Sequence, residues 1–243
     1  MAWIDKLLNV SANRILIKLR YEIEQRKYLS ASNSKVYDWD WKAIRFNRIA
    51  LVNSLIAKTK GVNARYLEIG CAGNNLFDAV ACISKIGVDP ASGGTHRMLS
   101  DDFFATNTDS FDVIFIDGLH HYDQVKRDTV NALRVLNEGG WIAFHDFLPA
   151  DWKEHHVPRI QSTWTGDCWK VALELIEASG LEFKIAAIDH GVGVLRKTGG
   201  TVNIPDYSAR LNKAEFDVFI ENFDRLPIAD YTEVVTWISN AAR

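Results

Sequence analysis

The chain has 243 residues, 47% hydrophobic and 24% charged, with a formal net charge of −3. That supports one sizeable core and gives no broad basic surface for nucleic acid. Cys71, Cys82 and Cys168 lie far apart, which argues against a disulfide framework or a Cys-x-x-Cys zinc site and fits a reducing, cytoplasmic setting. No apolar run reaches the roughly 20 residues of a membrane span, and Asp5 and Lys6 interrupt any apolar core of signal-peptide type.

Residues 1–35 read mainly as a helix. Ile4, Leu7, Leu8, Ile15, Leu16, Leu19 and Ile23 recur at helical steps, and Lys6, Arg14, Lys18, Arg20, Arg26 and Lys27 make the other side basic. Such a helix packs on the domain or on a second subunit; a lid or an anionic lipid surface are the alternatives. Tyr37, Trp39 and Trp41 alternate with Asp38 and Asp40, and either anchor the segment to the core or line a pocket. Residues 43–60 read as a second helix, with Ile44, Ile49, Leu51, Val52, Leu55 and Ile56 on its apolar side.

Tyr66, Leu67 and Ile69 then form a short buried strand, broken by the turn Glu68-Ile-Gly70-Cys71-Ala-Gly73-Asn-Asn75. A strand opening into a glycine turn and a helix brings backbone N–H groups close to a ligand. The spacing is Glu-x-Gly-x-x-Gly, so a carboxylate stands where a dinucleotide fingerprint has its first glycine. That suits a cation or hydroxyls more than a pyrophosphate. A helix over 76–84 and a strand over 85–88 come next. The strand ends in Asp89-Pro90, about 20 residues past the turn, where an acidic residue either accepts from ribose hydroxyls or starts the Asp-Pro turn. Residues 97–99 read as a weak strand, and Ser100 or Asp101 as the cap of the next helix.

Residues 113–116 are a continuous apolar run, a strand covered on both faces, ending in Asp117-Gly-Leu-His120-His121. A helix over 122–136, a turn at Glu138-Gly139-Gly140 and a strand over 141–144 lead to His145-Asp146. Two consecutive strands thus bring an acidic residue and a histidine to one carboxyl edge, where open α/β sheets bind ligands. Beyond it come Trp152, His155, His156, Trp164, Gly166, Asp167 and Trp169. The tryptophans contact a substrate or fill the core. His155 and His156, lacking an evident partner, read as surface residues, and Asp167 as the cap of a helix over 171–178. Residues 183–188 and 192–196 read as a strand pair joined at Asp189-His190-Gly191. Helices over 211–223 and 231–241 carry Phe216, Phe219, Ile220, Phe223, Val235 and Trp237, for packing or for a homodimer through the terminal helices.

The glycine turn, Asp89 and the two strand ends resemble the class I S-adenosylmethionine (SAM) methyltransferases. The resemblance implies an α/β, Rossmann-like, doubly wound seven-stranded sheet, mostly parallel with an antiparallel final strand. The expected organisation is a helical extension at 1–42, a SAM-binding domain at 43–198 and a second helical extension at 199–243. It implies a cofactor site of Glu68, Gly70, Cys71, Gly73, Asn75, Asp89, Asp101 and Asp117, with Glu68 and the turn on the amino acid end and Asp101 beside the adenine. Asp117-Gly-x-His120 and His145-Asp146 resemble the branch of macrocin-type sugar O-methyltransferases and, more distantly, catechol O-methyltransferase. There Asp117 and Asp146 would hold Mg2+ or another divalent cation and His120 would be the base. His145, a further catalytic candidate, stands where those enzymes have an acidic residue, and Mg2+ prefers oxygen. The expected activity is methyl transfer to a hydroxyl of a sugar, glycan or related small molecule. The alternatives are a non-heme iron oxygenase using Asp117, His120 and His145, and a non-catalytic SAM-binding scaffold.

Overall fold

The computed structural model describes residues 2–241, and side chains from Asn13 onward except that of Arg14. The strands are β1 (Arg65–Ile69), β2 (Ser84–Val88), β3 (Phe111–Ile116), β4 (Leu136–Phe144), β5 (Leu181–Ala186), β6 (Val192–Lys197) and β7 (Ile228–Ala229). The helices are α1 (Ala2–Lys27), α2 (Arg48–Lys58), α3 (Asn75–Ala79), α4 (Ser100–Thr106), α5 (Tyr122–Val135), α6 (Trp152–His155), α7 (Trp169–Leu175), α8 (Ser208–Leu211), α9 (Phe216–Asn222) and α10 (Tyr231–Asn240). One seven-stranded sheet runs in the order β2-β1-β3-β4-β6-β5-β7. The β2, β1, β3 and β4 pairings are parallel, and β6 is antiparallel to both neighbours. This is the Rossmann-like sheet the sequence predicts, with two differences in detail. The weak strand at 97–99 is reduced to a parallel bridge between Val88 and His96. The seventh strand is instead β7, which pairs parallel with β5 from beyond residue 199.

Strand periodicity divides the core in two. Along β3 and β4, Ile114, Ile116, Ile142 and Phe144 face one hydrophobic cluster, while Val113, Phe115, Trp141 and Ala143 face the other. The first is covered by α4, α5, α7 and α9, the second by α2 and α10. Helices on both faces explain why β3 is apolar at nearly every position. Its one acid, Asp112, is buried but accepts from Arg65 N and Asn137 Nδ2 and pairs with Lys60.

The predicted helix over 43–60 starts later, at Arg48, because Asn47 caps it by accepting from Ile49 N. The helix after the glycine turn is only five residues long. The turn expected at Glu138–Gly140 lies inside β4 as an irregularity opposite Phe111 and Val113. The C-terminal aromatics are not held out for a second subunit. Phe216 and Phe219 are fully buried, with Tyr37 set edge-on to both and stacked on Phe223. Tyr37, Trp39 and Trp41 form a stacked series, so they anchor this segment to the core. The expectations at Ile4, Lys6, Leu7, Leu8 and Arg14 lie outside the described side chains. Ile15, Leu16, Leu19 and Ile23 are exposed, so this part of α1 does not pack on the domain. Among the described residues, no helix is long and apolar enough to cross a membrane.

Candidate active site

The carboxyl ends of β1, β2, β3 and β4 surround a cavity of about 620 Å3. Its floor is the turn after β1. Gly70 has φ +86, and a Cβ there would lie 2.0 Å from the carbonyl oxygen of Asp117, so only glycine lets the tips of β1 and β3 meet. Gly73 is different. Its backbone is not left-handed and a Cβ would touch no protein atom, yet it lines the cavity. The fold does not require glycine there, and its missing side chain leaves the cavity wall low at that point.

All eleven sequence-predicted site residues reach this one cavity. Glu68, Gly70, Cys71, Gly73 and Asn75 come from β1 and its turn, Asp89 from β2, Asp101 from α4, and Asp117, His120, His145 and Asp146 from the ends of β3 and β4. Their local roles differ from expectation in places. Asp89 accepts from four backbone N–H groups: Cys71 and Ala72 on one oxygen, Ala91 and Ser92 on the other. A carboxylate offers about four lone-pair positions, so Asp89 already staples the glycine turn to the β2 loop. Burial works against its charge, but these hydrogen bonds hold its pKa below the usual carboxylate value. Neither Ser100 nor Asp101 caps α4. Both instead accept from Gln124 Nε2, which joins them to α5.

Glu68 is buried, with the Tyr66 hydroxyl donating to it at 2.6 Å. Burial raises its pKa to about 7, against the opposing hydrogen bond from Tyr66. A carboxyl poised at neutrality on a cavity wall is suited to meet a cation.

The second cluster is built on imidazoles between carboxylates. His120 Nε2 lies 3.3 Å from Asp117 Oδ1, and its Nδ1 lies 3.1 Å from Asp146 Oδ2. His145 Nδ1 lies 3.4 Å from Asp117 Oδ1 and 3.1 Å from Asp146 Oδ1. Burial opposes the charge of both rings, but the two carboxylates outweigh it and raise both pKa values, that of His145 strongly. Asp146 reaches this position in a left-handed backbone conformation, φ 65, which aspartate tolerates better than most residues. Trp164 covers His120, its ring stacked at 5.1 Å and its carbonyl oxygen 3.1 Å from Nδ1.

Three participants escaped the sequence. Arg48, at the start of α2, places Nη1 2.9 Å from Asp189 Oδ2 and 3.2 Å from His145 Nε2. Asp189 also accepts from the backbone N–H of Arg48, so it clamps α2 to the β5–β6 turn. His190 lines the cavity with a buried Nδ1 that has no partner among the described residues. A turn between two strands gave no sequence signal for either, since their approach depends on β6 lying beside β4.

Two expectations are corrected. His155 and His156 are buried at 2% and 4% exposure. His155 accepts from Trp169 Nε1, and His156 packs on Tyr28 and Trp152. Asp167 does not cap α7; it accepts from Tyr122 N at 2.6 Å, at the start of α5. Trp152 and Trp169 are core, which leaves Trp164 at the cavity.

Gly166 holds the Trp164 segment against His120. It has φ +61, and a Cβ would lie 1.9 Å from the His120 carbonyl oxygen. Gly166→Ala is expected to destabilise the protein by about 3 kcal/mol, measured as a lower denaturant midpoint with an unchanged m-value.

Fold and cavity together define an α/β protein that binds its ligand at the carboxyl edge of a parallel sheet. Residues 32–147 match the family model of a methyltransferase domain. That segment, just under half of the chain, is similar to methyltransferase domains, in line with the resemblance drawn from the sequence. No curated protein matches the sequence. Among solved structures, a Corynebacterium glutamicum protein is similar at 14% identity and TM-score 0.45, over 82% of this chain and 99% of its own. The SAH-bound methyltransferase PaMTH1 of Podospora anserina is similar at 16% identity and TM-score 0.47, over 73% and 96%. CalS10, a SAM-bound amino pentose methyltransferase of Micromonospora echinaspora, is similar at 12% identity and TM-score 0.42, over 67% and 92%.

Proposed function

We propose that the chain transfers the methyl group of SAM to a hydroxyl oxygen of a sugar, glycan or related small molecule. The observation that carries this reading is the juxtaposition, in one cavity, of a glycine turn open to a ligand and an imidazole held between two carboxylates. Glu68 and the N–H groups of the turn face the amino acid end of the cofactor. The Ser100, Asp101 and Gln124 cluster takes the adenine end. Asp89 acts chiefly by holding the turn in shape, and a ribose would have to share its filled lone pairs.

The sulfonium methyl is already activated, so the protein must align acceptor oxygen, methyl carbon and sulfur and receive one proton. The C–O bond forms as the C–S bond breaks, and the neutral thioether departs. The acceptor proton passes to His120. Of its contacts with the two carboxylates, that of Nε2 with Asp117 is the longer, so the acceptor hydroxyl enters there. His145, with its Nε2 3.7 Å from Asp189 Oδ1, keeps Asp117 and Asp146 apart and partly neutralised.

Among the described residues, one group of carboxylate and histidine atoms converges enough to hold a metal: Asp117, His120 and Asp146, within 4.8 Å of one another. Two oxygens and one imidazole suit a borderline ion such as Zn2+ better than Mg2+. When bound, such an ion would lower the acceptor hydroxyl's pKa and take over the role of His120, whose ring cannot be metal ligand and proton acceptor at once. His145 is outside that group and its Nε2 faces Arg48, which disfavours the two-histidine iron site of the oxygenase reading.

Titration calorimetry tests the cofactor half directly. Wild type is expected to bind SAM, and Asp89→Ala to bind at least 10-fold more weakly because the turn loses its staple. Absence of SAM binding by wild type would end this reading.

A further inference from the structure

Behind the wall that carries His120 lies a second cavity, of about 390 Å3. It is separate from the first: His120 and Thr165 line the larger cavity, whereas His121 and Asp167 line this one. Its inner end is formed by Lys170, whose side chain is only 4% exposed. The Lys170 ammonium has Asp167 Oδ2 at 2.7 Å as its one partner among the described residues, although it carries three donors. Its two remaining donors are available to acceptors in the cavity, water or ligand.

The remaining walls supply both kinds of polar group. Trp169 Nε1–H donates to His155 Nδ1 at 3.0 Å, so in the neutral ring the proton sits on Nε2, 3.4 Å from Glu215 Oε2. Burial lowers the pKa of His155 and favours that neutral form. His121 has no hydrogen-bond partner for its ring among the described residues, and Asn212 and Glu215 are exposed at the rim.

Charge and polarity narrow the occupant. Asp123, Asp167 and Glu215 set three carboxylates against one ammonium, which disfavours phosphate or another anion. Only Val157 and Ala214 add wholly apolar side chains, too few for a flat hydrophobic ligand. The group of residues able to gather round a metal lies in the other cavity. A neutral ring bearing several hydroxyls answers donors and acceptors at once, because each hydroxyl is both.

We propose that this second cavity binds a monosaccharide unit, held by Lys170 and Asn212 as donors and by the Asp123 and Glu215 carboxylates as acceptors. The proposal rests on the acceptor reading above for its purpose, as a hold on a further sugar unit of the acceptor. The chemistry of the cavity stands without it.

The test uses the full chain and three probes: the methyl α-glycosides of glucose, galactose and mannose. Each is titrated into wild type, Asn212→Ala and Glu215→Ala, with S-adenosylhomocysteine affinity measured in parallel. At least one glycoside is expected to bind in the millimolar range. Each rim variant should weaken it at least 5-fold and leave S-adenosylhomocysteine affinity unchanged. The proposal is overturned if no glycoside saturates wild type, or if both variants bind as wild type does. It is also overturned if inorganic phosphate binds instead and is lost in the variants. Failure of S-adenosylhomocysteine to bind wild type would sink the cofactor reading alone, since the glycoside titration is read separately.

Discussion

His120→Ala is expected to bind SAM with wild-type affinity and to transfer methyl groups at least 100-fold more slowly. The magnitude comes from the usual contribution of a positioned base, about 10²–10⁴ in rate. An aliphatic hydroxyl has a pKa far above 7 and is a poor nucleophile until its proton has somewhere to go. His120 is the cavity imidazole covered by Trp164 and placed between both carboxylates. The substitution removes a ring that reaches neither the glycine turn nor the Asp89 loop through any hydrogen bond, so cofactor binding should survive. A single-turnover assay with pre-bound radiolabelled SAM separates the two effects. Equal loss of binding and turnover would show that the ring is part of the cofactor site.

The second large effect concerns Glu68. Its pKa near 7 means that about half the unliganded protein is protonated there at neutral pH. The ammonium of the SAM amino acid moiety favours the carboxylate form and pulls the pKa down. Binding at pH 6 should therefore release close to one proton, and binding at pH 8 almost none. Affinity should rise with pH up to about 7 and then level off, because above that value no proton has to leave. The measurement is the binding enthalpy in buffers of different ionisation enthalpy, with Glu68→Gln as the comparison. Glu68→Gln should abolish the proton release and weaken binding at pH 8 by 10-fold or more. A release that persists in that variant would assign the proton to another group.

The sequence made the two anchors legible because both are strand ends. β1 and β3 announce themselves as short apolar runs, and the residues just past such a run in a doubly wound sheet lie at the carboxyl edge. Gathering Glu68, Asp89, Asp117, His120, His145 and Asp146 into one cavity therefore needed only the order of strands. Arg48 and His190 were hidden for the complementary reason. Each arrives from an element whose placement depends on long-range packing: α2 on the second core cluster, and the β5–β6 turn on the antiparallel β6. His155 and His156 misled because a buried imidazole can be satisfied by a distant tryptophan N–H or a local backbone carbonyl, as Trp169 and Pro158 do here. Asp89 shows a subtler limit. Its position matches a ligand-binding acid, but the four N–H groups that occupy it come from two loops whose path no spacing rule gives.

Asp146, Asp189 and His190 all sit at positive φ, at 65, 45 and 62, and all meet around His145 or the cavity. Glycine would relax each of these backbones, so random selection for heat resistance alone should drift toward removing groups that line the cavity, Asp146 and His190, or that clamp its wall, Asp189. Durability and turnover thus compete at three points that the fold brings together, and a tougher descendant of this protein would have to gain its firmness elsewhere.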